Sequence, residues 1–154
     1  MLVFYLERTG LSAITLKLFD TYGPGDSRKK LFTLLREATR QRRPLAMSPG
    51  EQLVDLVHVD DVARAFLVAA DRLFSGDVKG HEMYAISSGA PLRLRDLVAL
   101  CEQVAGEPIP VAWGERPYRS REVMEPWSTG ERLPGWAPRI VLNEGIRAIF
   151  EEGA

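Results

Sequence analysis

Two sets of basic residues and one acid carry most of the chemistry this chain can offer. Arg28, Lys29 and Lys30 follow a turn made of Tyr22, Gly23, Pro24 and Gly25, and Arg116, Arg119 and Arg121 crowd together near the carboxyl end. Guanidinium groups pair bidentately with phosphate oxygens and an ammonium adds a point charge. Each cluster therefore reads either as an anion-binding loop or as solvated surface charge. Asp20 stands just ahead of the turn, where an apolar run ends. In an open α/β sheet, ligands collect at the carboxyl ends of strands, which makes this turn a candidate binding loop.

Several other chemistries are missing. A dinucleotide fingerprint needs glycines at close fixed spacing after a strand, and none of the 13 glycines forms GxGxxG. Tyrosine-dependent hydride transfer needs a lysine one helical turn beyond the tyrosine, so that the ammonium lowers the phenol pKa. Tyr5, Tyr22, Tyr84 and Tyr118 are followed four positions on by Thr9, Asp26, Ser88 and Glu122. No GxSxG elbow is present, and His58 and His81 offer little for a metal site. By itself the chain shows no recognisable catalytic centre and is expected to be inactive. His58 reads as a packed histidine at a helix entrance, Asp60 and Asp61 as helix caps, and Cys101 as core.

The elements that must position these residues follow from apolar periodicity. Helices are expected over residues 1–9, 28–41, from Asp60 or Asp61 to residue 73, 94–105 and 142–152. Strands are expected over 13–19, 45–48, 53–59, 83–87 and 109–113, and residues 114–138 read as an irregular loop. In the third helix Val62, Phe66, Ala69, Ala70 and Leu73 should face inward. Trp113, Trp127 and Trp136 read as packing residues, with nucleobase stacking as the other option. The result is an α/β fold with a small mixed sheet and flanking helices. Its 154 residues fit one domain.

Composition narrows the partners. Lys and Arg number 20 against 21 Asp and Glu, so no global basic field draws in nucleic acid. One cysteine excludes an internal disulfide, and no apolar run approaches the 18 or so residues of a membrane span. A cytoplasmic, reducing compartment is the default expectation.

Three segments together resemble a known family. They are Leu18-Phe19-Asp20-Thr21-Tyr22-Gly23-Pro24-Gly25, then Val57-His58-Val59-Asp60-Asp61-Val62-Ala63-Arg64-Ala65, then Gly114-Glu115-Arg116-Pro117-Tyr118-Arg119-Ser120-Arg121-Glu122. They are similar to the carboxyl-terminal part of the extended short-chain dehydrogenase/reductases, the NAD-dependent epimerase/dehydratase family acting on nucleotide sugars. The resemblance implies that residues 1–154 are a single substrate-binding portion of an extended Rossmann-type dehydrogenase. The cofactor-binding Rossmann domain and its Tyr-x-x-x-Lys helix would then lie upstream. It also implies that Asp20, with Thr21 beside it, touches the sugar nucleotide, that Lys30 and Leu31 line the diphosphate and base pocket, and that Met47 faces the base. The family usually has asparagine where Asp20 stands, and often an arginine where Val54 stands. The diphosphate would then lean on Arg119 or Arg121. These departures are similar to the reductases that finish CDP-dideoxyhexoses, which favours a CDP-sugar as the ligand.

NAD or NADP would serve the intact enzyme, with none bound by these residues. The alternative is a non-catalytic nucleotide-binding or oligomerising module, and a ligand-free structural protein is a third possibility. With the helix at 1–9 and the strand at 13–19 lacking their usual neighbour, self-association is expected.

Overall fold

The computed structural model describes residues 2–26, 28–127 and 130–151. Helix α1 (Leu2–Thr9) ends at Gly10, whose φ is 67° and whose amide closes the last turn by donating a hydrogen bond to the Leu6 carbonyl. The chain then extends as β1 (Ala13–Leu18) and, after a break at Phe19, continues as β2 (Asp20–Tyr22). Helix α2 (Leu31–Gln41) leads to β3 (Leu45–Met47), β4 (Leu53–Val54) and β5 (Leu56–His58). Helix α3 (Val59–Phe74), β6 (His81–Ile86), β7 (Leu92–Arg93), α4 (Leu94–Ala105), β8 (Val111–Trp113) and α5 (Leu142–Glu151) complete the order. Met1 and Glu152, which the periodicity placed in the first and last helices, lie outside the described residues.

The strands form four two-stranded ladders among the described residues. β1 runs parallel to β6, β2 to β5 and β3 to β8, while β4 and β7 pair antiparallel. The α/β architecture with small mixed sheets and flanking helices is the one the pattern implies. Two apolar clusters hold it together. Leu35, Leu97, Val98, Cys101, Ile146 and Ile149 lock α2, α4 and α5 over the β3 and β5 region. Val57, Val62, Ala65, Ile86, Leu133 and Trp136 join α3 to the β1–β6 ladder. Burial lifts the Cys101 thiol to about 12, in keeping with a core residue.

Several expectations are corrected. The single strand over 53–59 is two strands divided at Asp55, which is buried. Its carboxylate accepts from the Ser87 hydroxyl at 2.5 Å and the Ser88 amide at 2.8 Å, so the chain changes partner there. Helix α2 starts at Leu31 instead of residue 28, because Asp26 engages the Arg28 amide and guanidinium and keeps that stretch in a turn. Its end is a left-handed Arg42, two residues before Pro44.

Helix α3 is capped by His58, whose Nδ1 accepts from the Asp60 amide at 3.2 Å, and neither Asp60 nor Asp61 serves as the N-cap. The helix is also rotated from the expected face: Asp61, Val62, Ala65 and Ala69 turn inward, while Phe66 and Leu73 are exposed. Asp61 sets that rotation. Its buried carboxylate accepts from Arg64 and from the amides of Arg139 and Ile140, both at 3.0 Å, and its carbonyl takes the Trp136 indole at 2.9 Å. Trp127 is no core residue either, being 47% exposed with Lys17 over its ring. Among the described residues, no helix is long and apolar enough to cross a membrane.

Asp61 thus fastens the segment before α5 to α3. Replacing it by alanine strands several buried donors and should cost about 3 kcal/mol. For a chain of this size that is a fall in Tm of roughly 10 °C in a thermal unfolding experiment. A fall under about 2 °C would show that the segment is held in some other way.

Candidate functional site

A cavity of about 690 Å³ opens between the turn after β2, helix α2, strand β3 and the 114–122 loop. That is the size of an ordinary small-molecule site. Its floor is apolar, built from Leu31, Phe32, Met47, Val54, Leu56 and Ile149. These residues are in place because α2 lays one stripe on the core and β3 exposes Met47 at the end of its ladder, opposite Trp113.

Cations surround that floor. Lys29, Lys30, Arg36, Arg116 and Arg119 reach the lining, against the carboxyl groups of Asp20, Asp26 and Glu122. Lys30 occupies the N-cap position of α2 in extended conformation, and the first turn of that helix contains no acid. An anion there meets both the ammonium and the amides of the helix start. Arg28 is held back: its guanidinium grips Asp26 at 2.7 and 2.9 Å, and this pairing pulls the Asp26 carboxyl down to about 2. Lys30 lies 3.9 Å from the same carboxylate.

Asp20 sits at the start of β2, its amide donating to the Asp55 carbonyl at 3.1 Å. Its carboxyl finds no hydrogen-bond partner among the described residues. Burial raises its pKa, Lys30 opposes that rise and the Asp55 charge adds to it. Thr21 also lines the cavity, with its hydroxyl spent on the Phe19 carbonyl at 3.2 Å. The next residue, Tyr22, borders the cavity but is buried in the core, where burial and the nearby Asp61 push its hydroxyl to about 12.

Glycine at 23 is a packing requirement. A β-carbon there would fall 2.6 Å from Val59 Cγ1.

The roof is the 114–122 loop. The amides of Gly114 and Arg116 both donate to the Met47 carbonyl, at 3.0 and 3.2 Å. Arg119 and Glu122 close a turn on each other, amide to side chain at 3.2 Å and amide to carbonyl at 3.0 Å. The structure thus brings Asp20, Thr21, Lys30, Leu31, Met47 and Arg119 to one cavity. It does not bring Arg121, which is exposed and outside the lining.

Sequence reasoning passed over Arg36 and Gln52, both of which line the cavity. Arg36 also donates to the Ile149 carbonyl at 2.9 Å. A charged residue set beside apolar Leu35 was the available signal for Arg36. For Gln52, buried against Ser48, no pattern marks the position.

The helix starts that follow directly on a strand do not suit a dinucleotide's pyrophosphate. α3 and α4 are the long helices entered straight from a strand, and their first turns carry Asp60 with Asp61, and Asp96. A pyrophosphate placed there would meet carboxylates. No step involving a nicotinamide is therefore assigned to this chain.

Comparison with known proteins agrees with this layout. The family model described as the NAD dependent epimerase/dehydratase family matches residues 1–86. A CDP-abequose synthase of Salmonella typhimurium is 24% identical over 153 residues, covering 96% of this chain and 50% of that protein. A 2-alkyl-3-oxoalkanoate reductase of Stenotrophomonas maltophilia is 33% identical, covering 94% of this chain and 52% of the relative. Among solved structures, MoeE5 in complex with UDP-glucose and NAD superposes with a TM-score of 0.78 at 26% identity, over 92% of this chain and 46% of that one. The chain spans about half the length of the curated relatives it matches. With the family model matching more than half of its residues, from α1 through β6, the chain belongs to the NAD-dependent epimerase/dehydratase family.

Proposed function

We propose that this chain is the nucleotide-sugar-binding half of an NAD(P)-dependent epimerase, dehydratase or reductase. Its cavity would hold the diphosphate under Lys30 and Arg119 and turn the hexose towards Asp20. Residues outside the chain would bind the dinucleotide and carry the reacting groups, so that positioning is this half's contribution. One observation carries the reading: five cations gathered over an apolar floor, at the end of a strand, beside an exposed carboxyl group that has no hydrogen-bond partner among the described residues. An apolar floor suits a nucleobase and the cations suit its diphosphate. The CDP-abequose synthase relative supports a CDP-sugar, and the MoeE5 complex supports nucleotide sugars in general.

On this reading the apolar side chains that α3 leaves exposed, Phe66 at 54% and Phe74 at 96%, are covered in the whole enzyme by the cofactor half. In the isolated chain they, with β1, would drive self-association. The Stenotrophomonas relative favours a second reading, because cations over an apolar floor also suit an oxoalkanoate.

Calorimetry separates the two. CDP-glucose should bind the chain, while NAD, NADP and a 3-oxoalkanoate should not. Lys30→Ala and Arg119→Ala should each weaken CDP-glucose about tenfold, the scale of one charge-assisted hydrogen bond. Arg121→Ala, outside the cavity, should stay within about twofold. Binding of NAD with no CDP-glucose binding would sink the proposal.

Asp20 supplies a test of stability. Because burial raises its pKa, the folded chain holds that proton more tightly than the unfolded chain does. Ionised Asp20 therefore opposes folding at neutral pH, and the effect fades as pH falls towards the ordinary carboxyl range near about 4. Asp20→Asn should raise Tm at pH 7 and lose that advantage as the pH approaches 4, by scanning calorimetry. An equal or lower Tm at pH 7 would mean the carboxyl is satisfied.

A further inference from the structure

Tyr118 stands between two cavity-lining residues, Pro117 and Arg119, yet does not line the cavity itself. Its hydroxyl instead accepts from the Glu51 amide at 3.1 Å, 67 residues away in sequence. Glu51 belongs to a sharply constrained turn. Gly50 has φ of 82°, and a β-carbon there would fall 2.5 Å from the Trp113 ring and 2.8 Å from the Arg95 side chain. From outside, Arg95 donates to the Pro49 carbonyl at 2.5 Å, pairs with the Glu51 carboxylate at 3.1 Å and stacks 4.8 Å from the centre of the Trp113 ring. The 49–51 turn is therefore a fixed post, and Tyr118 is the side chain by which the roof loop is tied to it.

The remaining ties of the loop near the cavity are backbone contacts. Gly114 and Arg116 hold its leading end on Met47, and the Met124 carbonyl accepts from the Leu53 amide at 2.8 Å beyond it. Arg116 sits at the first of these anchors and Arg119 beyond it, and both are cations of the cavity. Among the described residues Arg119 itself makes only the local turn with Glu122. Without the Tyr118 tie, the middle of the loop can lift, and the arginines spend part of their time away from the cavity. A ligand that needs them then binds more weakly in proportion to the fraction of roof in place.

We infer that Tyr118 is a positioning residue: its hydroxyl, held by the Glu51 amide, fixes Arg116 and Arg119 over the cavity for the diphosphate of a bound nucleotide. The inference rests on the nucleotide-sugar reading above and adds the residue that makes the cationic roof effective. It also separates two functions in one short segment. The arginines supply charge, and the tyrosine between them supplies the geometry.

The test titrates the 154-residue chain with CDP, with UDP as a second probe, and with cytidine, followed by NMR so that weak binding is measurable. Tyr118→Phe removes the acceptor and keeps the ring. It should weaken CDP about fivefold, the effect of one ordinary hydrogen bond. Cytidine affinity should stay within about twofold, since a nucleoside has no phosphate for the roof to grip. Tyr118→Ala should show the same split, more strongly. In an Arg116→Ala/Arg119→Ala background, Tyr118→Phe should have no further effect on CDP, because its influence runs through those two residues.

An unchanged CDP affinity in Tyr118→Phe overturns the inference, as does an equal loss for cytidine or a loss that persists without the arginines. If the unmodified chain binds neither CDP nor UDP, the nucleotide reading of the cavity itself fails and this role falls with it.

Discussion

Everything near the cavity depends on a buried carboxylate that ties three strands at one point. The side chain of Asp55 holds the Ser87 hydroxyl and the Ser88 amide just beyond β6, while its backbone carbonyl holds the Asp20 amide at the start of β2. A carboxylate removed from water without such partners costs several kcal/mol, so the arrangement is strongly enforced. The consequence is a change of partner. The chain leaves the β1–β6 ladder at Phe19 and joins β5 from Asp20 on, which fixes the Asp20 backbone and leaves its side chain without a hydrogen bond among the described residues. An exposed carboxyl at the cavity rim is thereby held in place by a buried acid to which its own backbone is bonded directly.

Charge at the site is a matter of local arrangement. The whole chain is almost neutral, at −1, and its field at long range is small. What concentrates positive potential is the gathering of five cations against three acids in one small volume. Asp26, held near a pKa of about 2, stays ionised through the physiological range and keeps Arg28 on its own side of the turn. Lys29 and Lys30 are left to face the cavity, joined by Arg36 from α2 and two arginines from the roof. Over an apolar floor these charges are less screened than they would be on an open surface. The ion pair therefore serves as a spacer, sorting one cation out of the site.

Periodic features of the sequence translate well into structure here. Helix α4 and its Gly106 terminator, the buried Cys101, and the short β3 bearing Met47 all follow from apolar spacing and glycine placement. Features set by a single polar group do not. An acid in an alternating strand looks like a solvent-facing residue, yet Asp55 is buried and breaks the strand. Asp61 looks like a cap, yet it is an anchor that rotates α3 and moves Phe66 to the surface. Both outcomes depend on partners 32 to 79 residues distant, and no local window contains them. The loop arginines show the same limit. Arg119 lines the cavity and Arg121 does not, because facing in an irregular segment is set by where its backbone is tied, and those ties run to Met47 and Glu51.

Floor and roof differ in how they are held, and this shapes what binding can demand of the fold. The floor is a by-product of the core: Phe32 and Leu56 belong to the same packed cluster as Leu97 and Ile146, so it exists whether or not a ligand is present. The roof is a loop fixed by a handful of hydrogen bonds, most of them exposed to water, each contributing about 1 kcal/mol. Local opening of such a segment costs far less than global unfolding. A ligand that spans both parts is therefore recognised in two unequal ways. On the proposed reading the base would meet a surface already formed, whereas the phosphates would meet charges whose position depends on the loop. Affinity for the apolar end should track the stability of the core, and affinity for the charged end should track the closure of the loop. The two can change independently, so that an altered loop on an unchanged core would alter recognition of the charged end alone.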